Sequence, residues 1–241
     1  MVNPPITICA LIYRSPAWLG FLLEGLAWSR NRTPYKTMIV GNDAEPQVVE
    51  TGRLDVDFRN PDPAEYYLNR VYRAWNAAVE AADTEWVVLL NSDMYVSDWW
   101  LDELVEAKLR DPKALPCSLL VESGRIPSAM PEYVHNFGVT VDGFDRDGWR
   151  AHAADLHAKG RGKTEPGRLF MPVLVSKLEF TTVGQYPIGN VIRPKDHSKI
   201  GEVVSGDRDL FDRYAEAGYK WVTCLGSVVF HTQEGEMRSS G

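Results

Sequence analysis

From Glu85 to Asp93 the chain reads Glu-Trp-Val-Val-Leu-Leu-Asn-Ser-Asp, an apolar run from Trp86 to Leu90 that stops at three polar residues. A short, unbroken run rich in Val and Leu predicts a strand covered on both faces, as in a parallel sheet. Ile6 to Tyr13 has the same character, and Lys36 to Val40 predicts a shorter strand ending at the turn-like Gly41-Asn42-Asp43. Ser15-Pro16 predicts a helix with a Ser cap and Pro at its first position, running to about Arg30. From Ala64 to Ala82 the residues Leu68, Val71, Trp75, Val79 and Ala82 recur at steps of three and four, which is one helical face. Ser97 to Leu109 predicts a further helix, capped by Ser97 and stopped before Asp111-Pro112. Residues 44–62 read as mostly loop, with a short strand at 54–58. Strand and helix thus alternate through the first 110 residues, which predicts βαβ units and a mostly parallel α/β sheet flanked by helices.

The second half is less regular. Leu115 to Val121, Phe137 to Val141, Leu178 to Val183, Trp221 to Cys224 and Ser227 to His231 predict strands. Gly148 to Ala158 and Asp209 to Ala217 predict helices, the latter ended by Gly218 in the left-handed conformation that glycine favours. Lys159 to Arg168 is a polar, basic, Gly-containing loop from which Lys163 or Arg168 could reach a ligand. The tail from Gln233 is polar and predicts fraying. No repeat or linker interrupts the chain, so it reads as a single domain over 1–241, with halves at 1–115 and 116–241.

The charge balance, 26 basic against 33 acidic residues for a net −7, argues against a general nucleic-acid binder, which needs a basic face. The three cysteines lie far apart without a CxxC, which predicts buried thiols rather than a disulfide framework. Met1 to Pro5 shows no basic or apolar leader, and Pro16 to Trp28 is too short to span a bilayer and contains Glu24. These features predict a soluble, cytoplasmic protein with no integral membrane segment.

In open α/β sheets ligands bind beyond the carboxyl ends of the strands. Asp93, just past the 86–90 strand, is therefore a candidate site residue, unless Asn91-Ser92-Asp93 only caps the next helix. Four stretches in order extend this reading: ITICALIYRSP (6–16), Trp75-Asn76 through Asn91-Ser92-Asp93, the following WWLDELVEAKLRDPK, and Gly206-Asp207-Arg208-Asp209 through Ala217-Gly218-Tyr219 with His231 beyond it. Together they resemble an inverting, metal-dependent glycosyltransferase of the large family-two type with the GT-A (Rossmann-like) fold and an irregular C-terminal acceptor-side half.

That resemblance implies a nucleoside-diphosphate-sugar donor, with UDP or dTDP favoured, and a divalent cation, Mn²⁺ or Mg²⁺, held by Asp93 and His231. Such an ion would offset the charge that develops on the leaving diphosphate. Asp207 stands where the family has its general base, which takes the proton of an acceptor hydroxyl (saccharide or protein). Leu11, Tyr13, Asn42, Asp43, Arg70 and Asn91 stand where the donor's base, ribose and metal-bound water are held. The chain departs from the family pattern at Leu11, Gly41, Asn91 and Gly206.

Each residue has a plainer reading beside this one. His231 could be a buried histidine satisfied by backbone, Asp207 a cap of the helix near 209, Arg70 a solvated helix residue and Asp209 a structural acid. His152 and His157 lie too far apart on their helix to share a metal and read as surface residues. Trp149 is the one tryptophan of the acceptor half that could meet a sugar. Retaining transfer on the same fold, or a catalytically silent nucleotide-binding module, are the rival functions.

Overall fold

The computed structural model describes residues 5–62, 64–168, 170–194 and 201–238. Residues 1–4, most of the Met1 to Pro5 stretch read above, and residues 239–241 lie outside them. The first half runs β1 (Ile6–Ile12), α1 (Pro16–Trp28), β2 (Tyr35–Asn42), α2 (Pro46–Val49), β3 (Val56–Phe58), α3 (Tyr67–Ala81), β4 (Trp86–Asn91), β5 (Met94–Val96) and α4 (Trp100–Arg110). It continues with β6 (Ala114–Glu122), a 3₁₀ turn at Pro131–Tyr133, α5 (Arg146–Gly160), β7 (Thr164–Pro166), β8 (Val173–Ser176) and α6 (Lys177–Thr182). The last elements are β9 (Val191–Pro194), β10 (Gly201–Val204), α7 (Gly206–Glu216), β11 (Lys220–His231) and α8 (Gly235–Arg238).

Among the described residues one sheet has the order β3-β2-β1-β4-β8-β6-β11-β5, with β7 also on β11, while β9 and β10 form a separate antiparallel pair. β1, β2, β3 and β4 are mutually parallel, and so are β6 and β11. β8 lies antiparallel between β4 and β6 and so sets the two groups in one direction. The carboxyl ends of β1, β2, β4, β6 and β11 therefore share one edge. The registers make this concrete: Leu11 lies opposite Asn91, Ile12 opposite Gly41, and His231 opposite Glu122. The fold class expected from the βαβ alternation is the one observed.

Burial explains the elements. Every residue of β1 is buried, as is Val87 to Leu90 in β4, which is what continuous apolar strands in a covered sheet require. The α3 face carries Trp75 and Val79 into the core, and Tyr72 joins them one position from Val71.

Several expectations change. Leu178 to Val183 is helix, because Ser176 caps it by accepting a hydrogen bond from Glu179 N at 3.2 Å, and the strand is the preceding β8. Phe137 to Val141 is a loop folded back tightly at Gly138, where an added Cβ would lie 2.3 Å from Gly143 O. The two short strands at 221–224 and 227–231 are one strand, β11, with a register shift between Cys224 and Val228. Part of the 159–168 loop is strand β7, and Arg168 is engaged by Glu132 and Glu165. α4 starts at Trp100 rather than beside Ser97; Asn31 Oδ1 accepts from Leu101 N at 3.1 Å and does the capping there. The segment after Gln233 is helical at Gly235–Arg238. All three cysteines are buried free thiols, and no helix among the described residues is long and apolar enough to cross a membrane.

Candidate active site

The shared carboxyl edge opens into a cleft of about 520 Å³. Leu11 and Tyr13 reach it from the end of β1, Asn42 from β2, Asn91 and Asp93 from β4 and its turn, His231 from β11, and Asp207 from the start of α7. Seven of the nine residues singled out from the sequence thus meet in one place. Asp43 and Arg70 do not line it. They pair with each other at 3.2 Å beside it, and Asn60 Nδ2 donates to Asp43 Oδ2 at 2.8 Å. The expected ribose-side carboxylate is therefore engaged by protein groups, and Arg70 is not a solvated helix residue. Gly41 sits in β2 where an added Cβ would approach Ala44 Cβ and Leu54 Cδ1 at 2.9 Å, which leaves no room for the Asp expected there from the resemblance.

At one end of the cleft, His231 Nε2 lies 3.5 Å from Asp93 Oδ2, and His231 Nδ1 donates to Glu122 Oε1 at 3.1 Å. Gly235 N adds a hydrogen bond to Asp93 Oδ2 at 3.1 Å. Burial disfavours a charged imidazole, but the Asp93 and Glu122 carboxylates outweigh it and lift the His231 pKa to about 10. For Asp93, burial pushes the carboxyl up, yet the His231 charge and its hydrogen bonds win and hold it below its ordinary value. This end of the cleft is built to hold positive charge between acids.

A divalent cation fits that character. Asp93 oxygen is a suitable donor, and so is His231 Nε2 once a cation displaces its proton, while Glu122 orients the imidazole from its far nitrogen, as an outer carboxylate does in metal sites. Among the described residues no group of three or more His, Cys, Asp or Glu converges on a point. With only these two protein donors, a cation here would need further oxygens from a bound ligand and water, as cations bound together with a phosphate do.

Further along the cleft, Tyr72 Oη donates to Asp207 Oδ2 at 3.0 Å and accepts from Asp207 N at 3.3 Å. Burial raises the Asp207 pKa to about 6, against the lowering effect of the Tyr72 hydrogen bond. The helix cap is supplied by Ser205, whose hydroxyl accepts from Arg208 N, so Asp207 is not the cap. Asp209 is structural, held by Arg213 at 2.8 Å. The neighbouring Gly206, where the resemblance leads one to expect Glu, packs against Tyr72. A Cβ there would lie 2.5 Å from Tyr72 Cε2 and 2.8 Å from Gly189 O. The ring and hydroxyl of Tyr72 thus fill the space a Glu side chain would need.

Three residues of the site were not picked out from the sequence. Glu122 follows an apolar strand just as Asp93 does, so the same rule could have found it. Tyr72 lies on the predicted α3 face, but nothing in periodicity reveals its hydroxyl partner. Glu236 belongs to the supposedly frayed tail. Trp149 is fully buried against Phe137 and Phe230 and cannot serve as a sugar platform. His157 is half-buried, with Nδ1 2.8 Å from Gly226 O, and His152 stacks on His135.

Residues 67–157 match the family model for Glycosyl transferase family 2, a stretch that includes α3, β4, the Asn91–Asp93 turn and α4. Among solved structures the chain is similar to "GalNAc-T7 with UDP, GalNAc and Mn2+", with a TM-score of 0.61 at 13% identity, over 95% of this chain and 43% of that one. The chain therefore spans less than half the length of that neighbour. At this identity the likeness establishes the fold, which is that of the GT-A glycosyltransferases. A search of curated proteins gave no match.

Proposed function

We propose that this protein is a metal-dependent, inverting glycosyltransferase that moves a sugar from a nucleoside-diphosphate donor to an acceptor hydroxyl. The observation that carries the reading is one cleft holding a cation-favouring Asp93–His231 pair and, separately, a buried carboxylate at Asp207 tuned by Tyr72. The family-two match over the segment containing Asp93 supports it, and the neighbour's bound UDP, GalNAc and Mn2+ point to a nucleotide-sugar donor and a divalent ion.

When bound, the cation neutralises charge on the departing diphosphate. Asp93 and His231 would hold it, with Glu122 keeping the imidazole oriented through Nδ1. Asn91 at the end of β4 and Tyr13 at the end of β1 face the donor. Asp207 accepts the acceptor hydroxyl's proton as its oxygen bonds to the anomeric carbon and the bond to the diphosphate breaks. A pKa near 6 leaves this base largely ionised at neutral pH while keeping it basic enough to take a proton. Direct displacement of the diphosphate by the acceptor oxygen, with Asp207 only taking its proton, inverts the anomeric configuration.

The test is a thermal-shift screen with UDP, dTDP, GDP, CDP and ADP, each with and without Mn²⁺, followed by NMR of the product anomer from the corresponding nucleotide sugars. A ligand at a hundredfold its dissociation constant stabilises by about 2.7 kcal/mol. One nucleotide stabilising only with metal is the expected result. No stabilisation by any of them would overturn the nucleotide-donor reading, stabilisation without turnover would support the silent nucleotide-binding module, and a product of retained configuration would remove Asp207 from the base role.

A further inference from the structure

Glu236 lies in the short helix α8, beyond the segments that carried the sequence reading, yet its carboxylate lines the cleft. Oε1 accepts from Arg14 N at 3.1 Å and Ser15 N at 2.9 Å, while Oε2 accepts from Tyr13 N at 3.1 Å and Ser92 Oγ at 2.8 Å. Three consecutive backbone N–H groups and one hydroxyl therefore close on a single carboxylate. Those N–H groups lie immediately before α1, whose Ser15 makes no side-chain cap. An anion there also meets the positive end of a thirteen-residue helix. The adjacent Gly235 N donates to Asp93 Oδ2, and Gly235 packs so closely that a Cβ would stand 2.8 Å from Asp93 Cβ. The segment after β11 thus touches both the β1–α1 turn, which carries Tyr13, and the turn after β4, which carries Ser92 and Asp93.

We propose that Glu236 is a positioning residue of the donor site: it locks the Tyr13–Ser15 backbone to the Ser92–Asp93 turn and so sets the spacing between the nucleoside end and the diphosphate end of the cleft. This role rests on the donor-binding reading given above. Its logic is geometric. The two turns belong to neighbouring strands, β1 and β4, whose ladder ends at Leu11 and Asn91. Past those residues, the Glu236 carboxylate bridges the two turns, accepting from Tyr13, Arg14 and Ser15 on one side and from Ser92 on the other. Four donors from two turns need an acceptor with two oxygens and full charge, because hydrogen bonds to an ionised acceptor are about twice as strong as neutral ones. A glutamine has the same shape but presents only one acceptor oxygen and places two N–H groups where acceptors are needed.

The experiment compares wild type, Glu236→Gln and Glu236→Ala in the full chain by two readouts. Calorimetric affinity for UDP and dTDP with Mn²⁺ reads the donor site, and amide hydrogen exchange reads Tyr13, Arg14 and Ser15 directly. Both variants are expected to bind the nucleotide that wild type binds roughly tenfold or more weakly. KM for the nucleotide sugar should rise with kcat little changed, and exchange at residues 13–15 should quicken about tenfold while β1 and β4 stay protected. A side chain that merely filled space would be replaced by Gln without effect, so unchanged affinity in Glu236→Gln overturns the proposal. Tighter binding in either variant also overturns it, since Glu236 would then be a plug that the donor displaces. If wild type binds none of the diphosphates, the donor reading fails first and takes this role with it. That outcome differs from one in which wild type binds and the variants bind equally.

Discussion

Replacing Asp207 by Asn should abolish transfer and yet make the protein more stable. Burial holds the Asp207 pKa at about 6, against 3.8 for the ordinary group. About two units at 1.36 kcal/mol each amount to roughly 3 kcal/mol. The sign follows from proton binding. Between pH 4 and 6 the folded state keeps a proton that the unfolded chain has lost, so folding grows less favourable as pH rises through this window. The full penalty stands above pH 6. Two effects reduce what Asn recovers: solvent in the cleft screens the carboxylate, and Asp207 sits in the first turn of α7, where a negative charge gains about 0.3–1 kcal/mol from the helix dipole. The net gain at pH 8 is about 1–2 kcal/mol, or about 2–8 °C in Tm for a chain of this size. By pH 4.5 the linkage contribution falls to about a third of its full value. Scanning calorimetry of both proteins at pH 8 and 4.5 makes the comparison. An Asp207→Asn protein that melts at or below wild type at pH 8, or a gain of equal size at both pH values, would refute the argument that Asp207 is a desolvated base.

Tyr72→Phe removes the hydroxyl that stabilises the Asp207 carboxylate, so the acidic limb of the kcat profile should move up by roughly half to one pH unit; a limb that stays put would show the hydrogen bond to be without effect on the base. Gly206→Ala forces a methyl group into the Tyr72 ring and the Gly189 carbonyl and should cost about 1–3 kcal/mol, read by urea denaturation, with a neutral result contradicting the close packing. Asp93→Ala should eliminate Mn²⁺-dependent nucleotide binding in a calorimeter, and an unaltered affinity would take Asp93 out of the cation site. His231→Ala should raise the Mn²⁺ concentration required for half-maximal activity; an unshifted metal titration would return His231 to a structural role between Asp93 and Glu122.

The parts of the fold that could be read in advance are those where periodicity and burial coincide. β1, β4 and α3 bury a continuous run or a single face, and their patterns survive without knowledge of any neighbour. Leu178 to Val183 shows where that stops working. A six-residue apolar-leaning run does not distinguish strand from helix, and the deciding signal was the Ser176-x-x-Glu179 pattern of a helix start. Phe137 to Val141 has strand-like composition, but its backbone is spent on a tight return at Gly138. The site divides in the same way. Asp93, Asp207 and His231 stand at the ends of regular elements, where chain direction alone puts them at the sheet edge. Glu122, at the end of β6, was open to the same rule, whereas Tyr72 and Glu236 act through side-chain pairings across 135 and 223 positions, which no local pattern records.

Those separations also say something about time. Tyr13 and Glu236 close a loop of 223 residues around the cleft, and Tyr72 and Asp207 close one of 135. Each such contact must meet its loop-closure entropy before it contributes anything, whereas the β1–β2 and β1–β4 ladders join nearer segments. A chain can therefore assemble its β1–β4 sheet core while its cleft is still open. Competence to bind a ligand is acquired late in folding and is the first property to be given up when the structure loosens.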